Sequence, residues 1–328
     1  GCGWFAEQRL LAGGLRSYFR FQFKKVFTTF GTPTVGNNGF VFAIADAQNG
    51  RNTLNACGAG GSHLGYSGDN GVTPRINYPK IGIEFDQSRN AGFSESADLS
   101  VSNPGRNDPC GTCVGGPGYN SHAAIVFWGH EVADAVTDLV SRPNDDDNVH
   151  GFPTAGSIVG TRQPPRSHLD PATEGGIKYE MMRGYNPTTG NSDINYDSKL
   201  FHLRVELTPT RTTNADASLS KTATLVQVWI APDAPITSQT HIDAMKDTTR
   251  PMSLADPTYP PTLAQTADLF DVQEAACSSG TCPVGQACGL DNMCYRPALE
   301  RIQLGFTGSQ RTQSQQVDII DFFTTWLP

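Results

Sequence analysis

Ile81-Gly82-Ile83-Glu84-Phe85-Asp86-Gln87-Ser88-Arg89-Asn90 is the stretch on which the reading of this chain turns. Its first six residues alternate apolar and polar or small side chains, the period of a half-buried strand. On such a strand Glu84 and Asp86 stand two apart and share a face. Asn90 follows four residues after Asp86, where a strand would run into a loop. Further on come Asp108-Pro109 and then His122, directly before the apolar run Ala123–Trp128. Carboxylates with an amide oxygen suit Ca²⁺, which takes roughly six to eight oxygen ligands. A histidine beside several carboxylates suits a transition metal such as Mn²⁺. Taken singly, each residue has a plainer reading, as a solvent-facing group of an edge strand or a strand-end histidine.

Outward from this stretch the period stays at two. Phe19, Phe21 and Phe23 alternate with Arg20, Gln22 and Lys24 inside Leu15–Phe27. Phe40–Ala45, Ala123–Trp128, Phe201–Leu207, Thr224–Ile230, Arg301–Phe306 and Val317–Phe323 are further strand candidates. Gly, Asn, Pro and Asp fill the spaces between them. Helical signals are confined to Ala133–Val140 and Asp243–Lys246. Arg142–Gly160 and Thr208–Lys221 read as long surface loops. Many strands with little helix mean an all-β sandwich or barrel. The expectation is a single domain over residues 1–328, with a Pro- and Cys-rich insertion at about 251–297 ahead of the closing strands.

Composition narrows the function classes. The 328 residues carry a formal charge of −8 and no Lys/Arg cluster beyond Lys24-Lys25, so a nucleic-acid partner is not expected. No apolar run is long enough to span a bilayer. No signal peptide stands at Gly1, so a mature or trimmed product is expected. The eight cysteines include Cys277, Cys282, Cys288 and Cys294, whose spacing fits zinc poorly and a disulfide-stapled loop well. Cys110 and Cys113 lie in a Gly-rich loop, away from the βαβ setting of a redox pair, and also read as disulfide cysteines, as do Cys2 and Cys57. The pairing is not legible, but an oxidising, extracellular or cell-surface compartment is expected.

The set Glu84, Asp86, Asn90, Asp108-Pro109 and His122, in that order, resembles the metal-binding stretch of legume-type (L-type, concanavalin A-like) lectins. Asn38-Gly39-Phe40-Val41-Phe42-Ala43-Ile44 is similar to that family's Asp-Gly-x-x-Phe segment, and Gly60-Gly61-Ser62-His63-Leu64-Gly65-Tyr66 to its Gly-rich loop. Arg301–Phe306 with Thr307-Gly308-Ser309 is similar to its closing hairpin. The resemblance runs from about Leu15 to Phe323 and extends to modules of bacterial surface and pilus-associated proteins. It implies a concanavalin A-like jelly-roll sandwich of two antiparallel sheets. It implies Ca²⁺ on Asp86, Asn90, Asp108 and the carbonyl of Ser88, and Mn²⁺ or a similar ion on Glu84, Asp86, Asp108 and His122. Asp98 is a rival to Asp108. A glycan pocket would be lined by Asn38, Gly61, Asn90, Gly308 and Ser309.

The chain departs from the family pattern at two points. Asn38 stands where the lectins carry Asp, and it lacks the charge that strengthens carboxylate hydrogen bonds. Ser88 stands where an aromatic ring usually stacks on the sugar. The sequence therefore leaves open a glycan-binding adhesion module, a structural surface or fibre subunit that self-associates or docks a neighbouring chain, and, third, a glycoside hydrolase of the same fold. Retaining hydrolysis needs two carboxylates about 5 Å apart. After Glu84 and Asp86 the strand offers Ser88 and Arg89 rather than a second Glu, so a binder is expected rather than an enzyme.

Overall fold

The computed structural model describes residues 1–24, 39–48, 52–58, 60, 64–66, 73–77, 80–86, 122–128, 168–169, 188–189, 196–213, 220–235, 237–267, 287–288, 294–295, 299–309 and 316–328. The strands are β1 (Cys2–Leu10), β2 (Leu15–Phe23), β3 (Phe40–Asp46), β4 (Lys80–Asp86), β5 (His122–Trp128), β6 (His168–Leu169), β7 (Phe201–Thr213), β8 (Ser220–Pro232), β9 (Leu263–Ala267), β10 (Ala287–Cys288), β11 (Cys294–Tyr295), β12 (Arg301–Gly308) and β13 (Val317–Trp326). Two short helices, α1 (Gln239–Lys246) and α2 (Met252–Ala255), lie between β8 and β9. A six-stranded sheet runs β1-β12-β3-β4-β5-β6 and a five-stranded sheet runs β13-β2-β7-β8-β9. Both are antiparallel throughout. The closing hairpin is shared out: β12 enters one sheet and β13 the other.

Alternation decides which side chains fill the space between the sheets. Phe19, Phe21 and Phe23 of β2 and Phe201, Leu203, Val205 and Leu207 of β7 meet Phe42, Ile81, Ile83 and Phe85 of the facing sheet in one buried cluster. Rings from opposite sheets touch: Phe19 meets Phe306 edge-on at 5.1 Å between centroids, and Phe21 meets Phe85 at 4.6 Å. Each such ring contributes about 1.5–3 kcal/mol through burial. The sandwich is therefore held at its centre by phenylalanine.

Two sequence expectations are corrected, and one strand is added. Thr208–Lys221 is largely strand, because β7 and β8 stay paired out to Thr213 opposite Ser220. The Thr-rich run favours extended backbone. Pro209 is tolerated because β2 leaves β7 at Leu207, so beyond that point β7 pairs on one side only. The helix expected at Asp243–Lys246 begins earlier, at Gln239, with the Ser238 hydroxyl accepting a hydrogen bond from the His241 amide. The added strand is β1, which no alternation announced. It forms an edge of the six-stranded sheet, with a register shift between Trp4 and Gln8. β13, an edge of the other sheet, carries a similar shift between Ile320 and Phe323. Within the stretch read as an insertion, Met252 is fully buried and Leu263–Ala267 pairs with β8. Ala133–Val140 and Arg142–Gly160 lie outside the described residues.

Candidate functional site

β4 is an interior strand, flanked by β3 and β5. Ile81, Ile83 and Phe85 face the core between the sheets. Lys80 and Glu84 stand on the alternate positions and are also buried, at 1% and 2% exposure. The solvent-facing reading of Glu84 is thereby removed. A carboxylate at that depth has to be compensated by hydrogen bonds, an ion pair or a cation. Lys80 donates from Nζ to the carbonyl oxygen of Tyr66 at 2.9 Å and sits 4.5 Å from the centre of its ring. Ala56, Leu64, Tyr66 and Ile76 cover this outer face, packing on Val41, Ala43 and Ala45 of β3.

The register gathers the sequence-marked residues along one rim of the six-stranded sheet. Gly308 of β12 pairs with Phe40 of β3, Phe40 with Phe85 of β4, Phe85 with Ala123 of β5, and Ala123 with Leu169 of β6. One step further along, Asp86 stands directly opposite His122. Opposed residues are the closest cross-strand neighbours in an antiparallel pair. So Glu84, Asp86 and His122, separated in sequence, are brought onto two adjacent strand ends. By residue type alone, two acidic residues and a histidine suit a divalent cation. Among the described side chains no group of three His, Cys, Asp or Glu is assembled. Ser88, Asn90, Asp98 and Asp108 lie outside the described residues, as do Asn38 and Gly61.

At the β12 end of the same rim a cleft of about 270 Å³ opens between the two sheets. Phe40, Phe306, Val317 and Ile319 form its apolar walls. Gly39, Thr307, Gly308, Ser309 and Gly1 line the rest. Gly308 and Ser309, marked from the sequence as pocket residues, are thus at a cavity, together with Gly39. The wall residues of β13 were not foreseen. Val317 and Ile319 look like ordinary core alternation, and only the split of the closing hairpin between two sheets puts them at a mouth. The protein-family models contain no match to this sequence, and no curated protein matches it. Solved structures similar to it include legume lectins. Basic winged bean lectin with Tn-antigen aligns over 98% of this chain and 76% of its own, at 13% identity and a TM-score of 0.38. Peanut lectin with a nine-residue peptide aligns over 95% and 70%, at 15% identity and a TM-score of 0.32.

Of the cysteines, Cys2 and Cys57 form a disulfide, with Cα atoms 5.7 Å apart. The small β10–β11 ladder sets Cys288 opposite Cys294. Cys110, Cys113, Cys277 and Cys282 lie outside the described residues.

A second polar cluster, on the outer face of the five-stranded sheet, was not read as a site. Tyr18 and His202 are joined through the phenol oxygen and Nδ1 at 2.6 Å, and His202 Nε2 reaches Asp233 at 2.9 Å. Burial pulls the imidazole below its ordinary value against the opposing pull of Asp233, and pushes the Tyr18 phenol well above its own. A phenol that stays protonated donates to Nδ1, so the neutral ring donates from Nε2 to Asp233. Beside it Arg204, fully buried, gives Nε and Nη2 to one oxygen of Glu206 at 2.9 and 2.7 Å. Its Nη1 donates to the carbonyls of Met245 and Asp247, and Nη2 to that of Arg250. Tyr18, His202 and Arg204 are at most 1% exposed beneath α1 and α2, so this cluster builds structure rather than meeting a ligand.

Proposed function

We propose that this chain is an extracellular carbohydrate-binding module whose site is the rim of the six-stranded sheet, with cation-ordered loops at the β4–β5 end and the cleft at the β12 end. The observation that carries the reading is the register. It aligns Gly308, Phe40, Phe85 and Ala123 across four strands, and so sets the Asp86–His122 pair and the Gly308–Ser309 cleft on one edge. A sugar offers an apolar ring face and a rim of hydroxyls. The cleft offers phenylalanine and aliphatic walls under glycine main chain and a serine hydroxyl, the mixture that small polar ligands require. Asn38, Gly61 and Asn90 would complete the hydrogen-bonding set. Ca²⁺ would be held by Asp86, Asn90, Asp108 and the Ser88 carbonyl, and a second ion by Glu84, Asp86, Asp108 and His122. The ion's work would be to fix loop geometry and present Asn90. No step of bond cleavage is assigned, because the rim carries no second Glu two residues beyond Asp86.

The disulfide suits an oxidising compartment. Among the described residues no helix is long and apolar enough to cross a membrane. The test is a glycan array with and without EDTA, on the unaltered protein and on Asn90→Ala. Saturable binding that disappears with chelator and with the substitution is expected. Binding by neither protein in any condition, from folded samples, would remove the glycan reading and turn attention to a neighbouring chain as the partner.

A further inference from the structure

We infer that the Cys2–Cys57 disulfide is a positioning element for the ligand cleft, so that binding depends on the oxidation state of this one bond; the inference rests on the glycan reading above for its ligand and on geometry for the rest. Cys2 sits at the rim end of β1, paired with Thr307 of the cleft strand. The main chains of Gly1 and Gly308 hydrogen-bond in both directions, at 2.5 and 2.9 Å. Cys57 belongs to the cover segment, tied by its amide to Pro74 and through the next residue to Gly65, whose carbonyl accepts from Gly58 at 2.6 Å. The bond therefore joins the strand that bears the cleft to the loop that covers the adjacent face.

Gly65 is where the two meet. Its φ of +71° is a conformation that suits glycine. A Cβ there would stand 3.2 Å from Cys2 Sγ and 3.3 Å from the Gly308 oxygen. The Cys2 sulfur lies 3.3 Å from the Gly65 carbonyl oxygen, a contact without a donor proton because the sulfur is bonded. Trp4 adds a second tie beside it, donating from Nε1 to the Ala56 carbonyl at 2.7 Å. The bond therefore holds Gly65 beside Gly308. A dithiol reductant would transfer two electrons and two protons to the bond: one thiolate attacks a sulfur, the S–S bond breaks and the first cysteine leaves as a thiolate, the reductant's second thiolate attacks its own sulfur in the mixed disulfide and expels the second cysteine thiolate, and two protonated cysteine thiols and a cyclic oxidised dithiol remain. The cover would then be tied near Gly308 by hydrogen bonds alone.

The test compares the unaltered, oxidised protein with Cys2→Ala/Cys57→Ala and with Gly65→Ala, which keeps the bond but crowds the contact. The readouts are affinity for a glycan found on the array and hydrogen exchange by segment. Expected are at least tenfold weaker binding in both variants and at least tenfold faster exchange over 52–66 and 305–309, with β7 and β8 unchanged. Unchanged exchange over 52–66 in the double variant would overturn the inference. If the double variant does not fold, the folded, unaltered protein reduced with a dithiol decides, and full binding by the reduced protein would overturn it. If the unaltered protein binds no glycan, the proposed function fails by itself, and the exchange pattern still settles whether the bond positions the loop.

Discussion

The outer faces of the two sheets are covered in opposite ways. On the five-stranded sheet the covered side chains are large and polar: Tyr18, His202, Arg204 and Glu206, with Trp229. Their cover is helical and is held by hydrogen bonds into its main chain. On the six-stranded sheet the covered side chains are mostly small: Val41, Ala43 and Ala45, with Lys80 and Glu84. Their cover is irregular chain, held by a covalent bond and by a few side chains reaching carbonyls. A polar face can secure its own lid, because each buried donor requires an acceptor and the lid's carbonyls supply it. A face of alanines buries little area and leaves the lid to be secured by other means. The second arrangement is the more easily released, and it borders the cleft.

Arg204→Ala strikes the first lid hardest. It leaves Glu206 buried without its partner and α1 without the donor to its last carbonyls, a loss of about 3–5 kcal/mol. Chemical denaturation measures it, and hydrogen exchange should show residues 239–255 released while 52–77 stays protected. Arg204→Met with Glu206→Leu should cost clearly less than Arg204→Ala alone; an equal cost would mean that the ion pair is not what holds the helix. Removing the Cys2–Cys57 bond should cost about 2–4 kcal/mol and release the other lid only.

Acid separates the two lids by a different route. The folded state holds His202 below its ordinary value near 6.5, so the unfolded chain takes up the proton first. Stability from this group is complete above about pH 6.5 and falls as pH drops below it, by at most about 1.4 kcal/mol per pH unit. Asp233 faces the ring, and Arg20 and Lys246 oppose its protonation from a greater distance. His202→Gln should flatten this part of the pH–stability profile measured by thermal melts. An unchanged profile would show that the ring is not what titrates. Ser238→Ala should have the smallest effect, about 0.5–1 kcal/mol, by removing the N-cap of α1.

The strands were legible because phenylalanine and aliphatic residues alternate through them. The alternation fixes which residues share a face, and Phe201, Leu203, Val205 and Leu207 do line the core. It says nothing about whether the other face meets water. His202, Arg204 and Glu206 have the pattern of a solvent-facing set and are buried because a helix some forty residues later lies over them. β1 was illegible for a related reason: most of it is exposed edge, so its sequence CGWFAEQRL is under little pressure to alternate. The acidic and histidine positions stood out through the resemblance to legume-type lectins, and the register sets Asp86 opposite His122. The cleft walls were not, because Val317 and Ile319 become a mouth only through the parting of β12 and β13 into separate sheets.

Arg204 recognises α1 through main-chain oxygens of Met245, Asp247 and Arg250, none of which depends on the side chain present. This contact is therefore constrained in place and not in spelling, while Ile242, Ala244, Met245 and Met252 are held by packing. Exposed positions such as Gln239, Thr240 and Asp243 are free to vary as long as the chain turns at the same carbonyls. A library randomised at these exposed positions should retain folded members so long as the buried residues, Arg204 and Glu206 are kept.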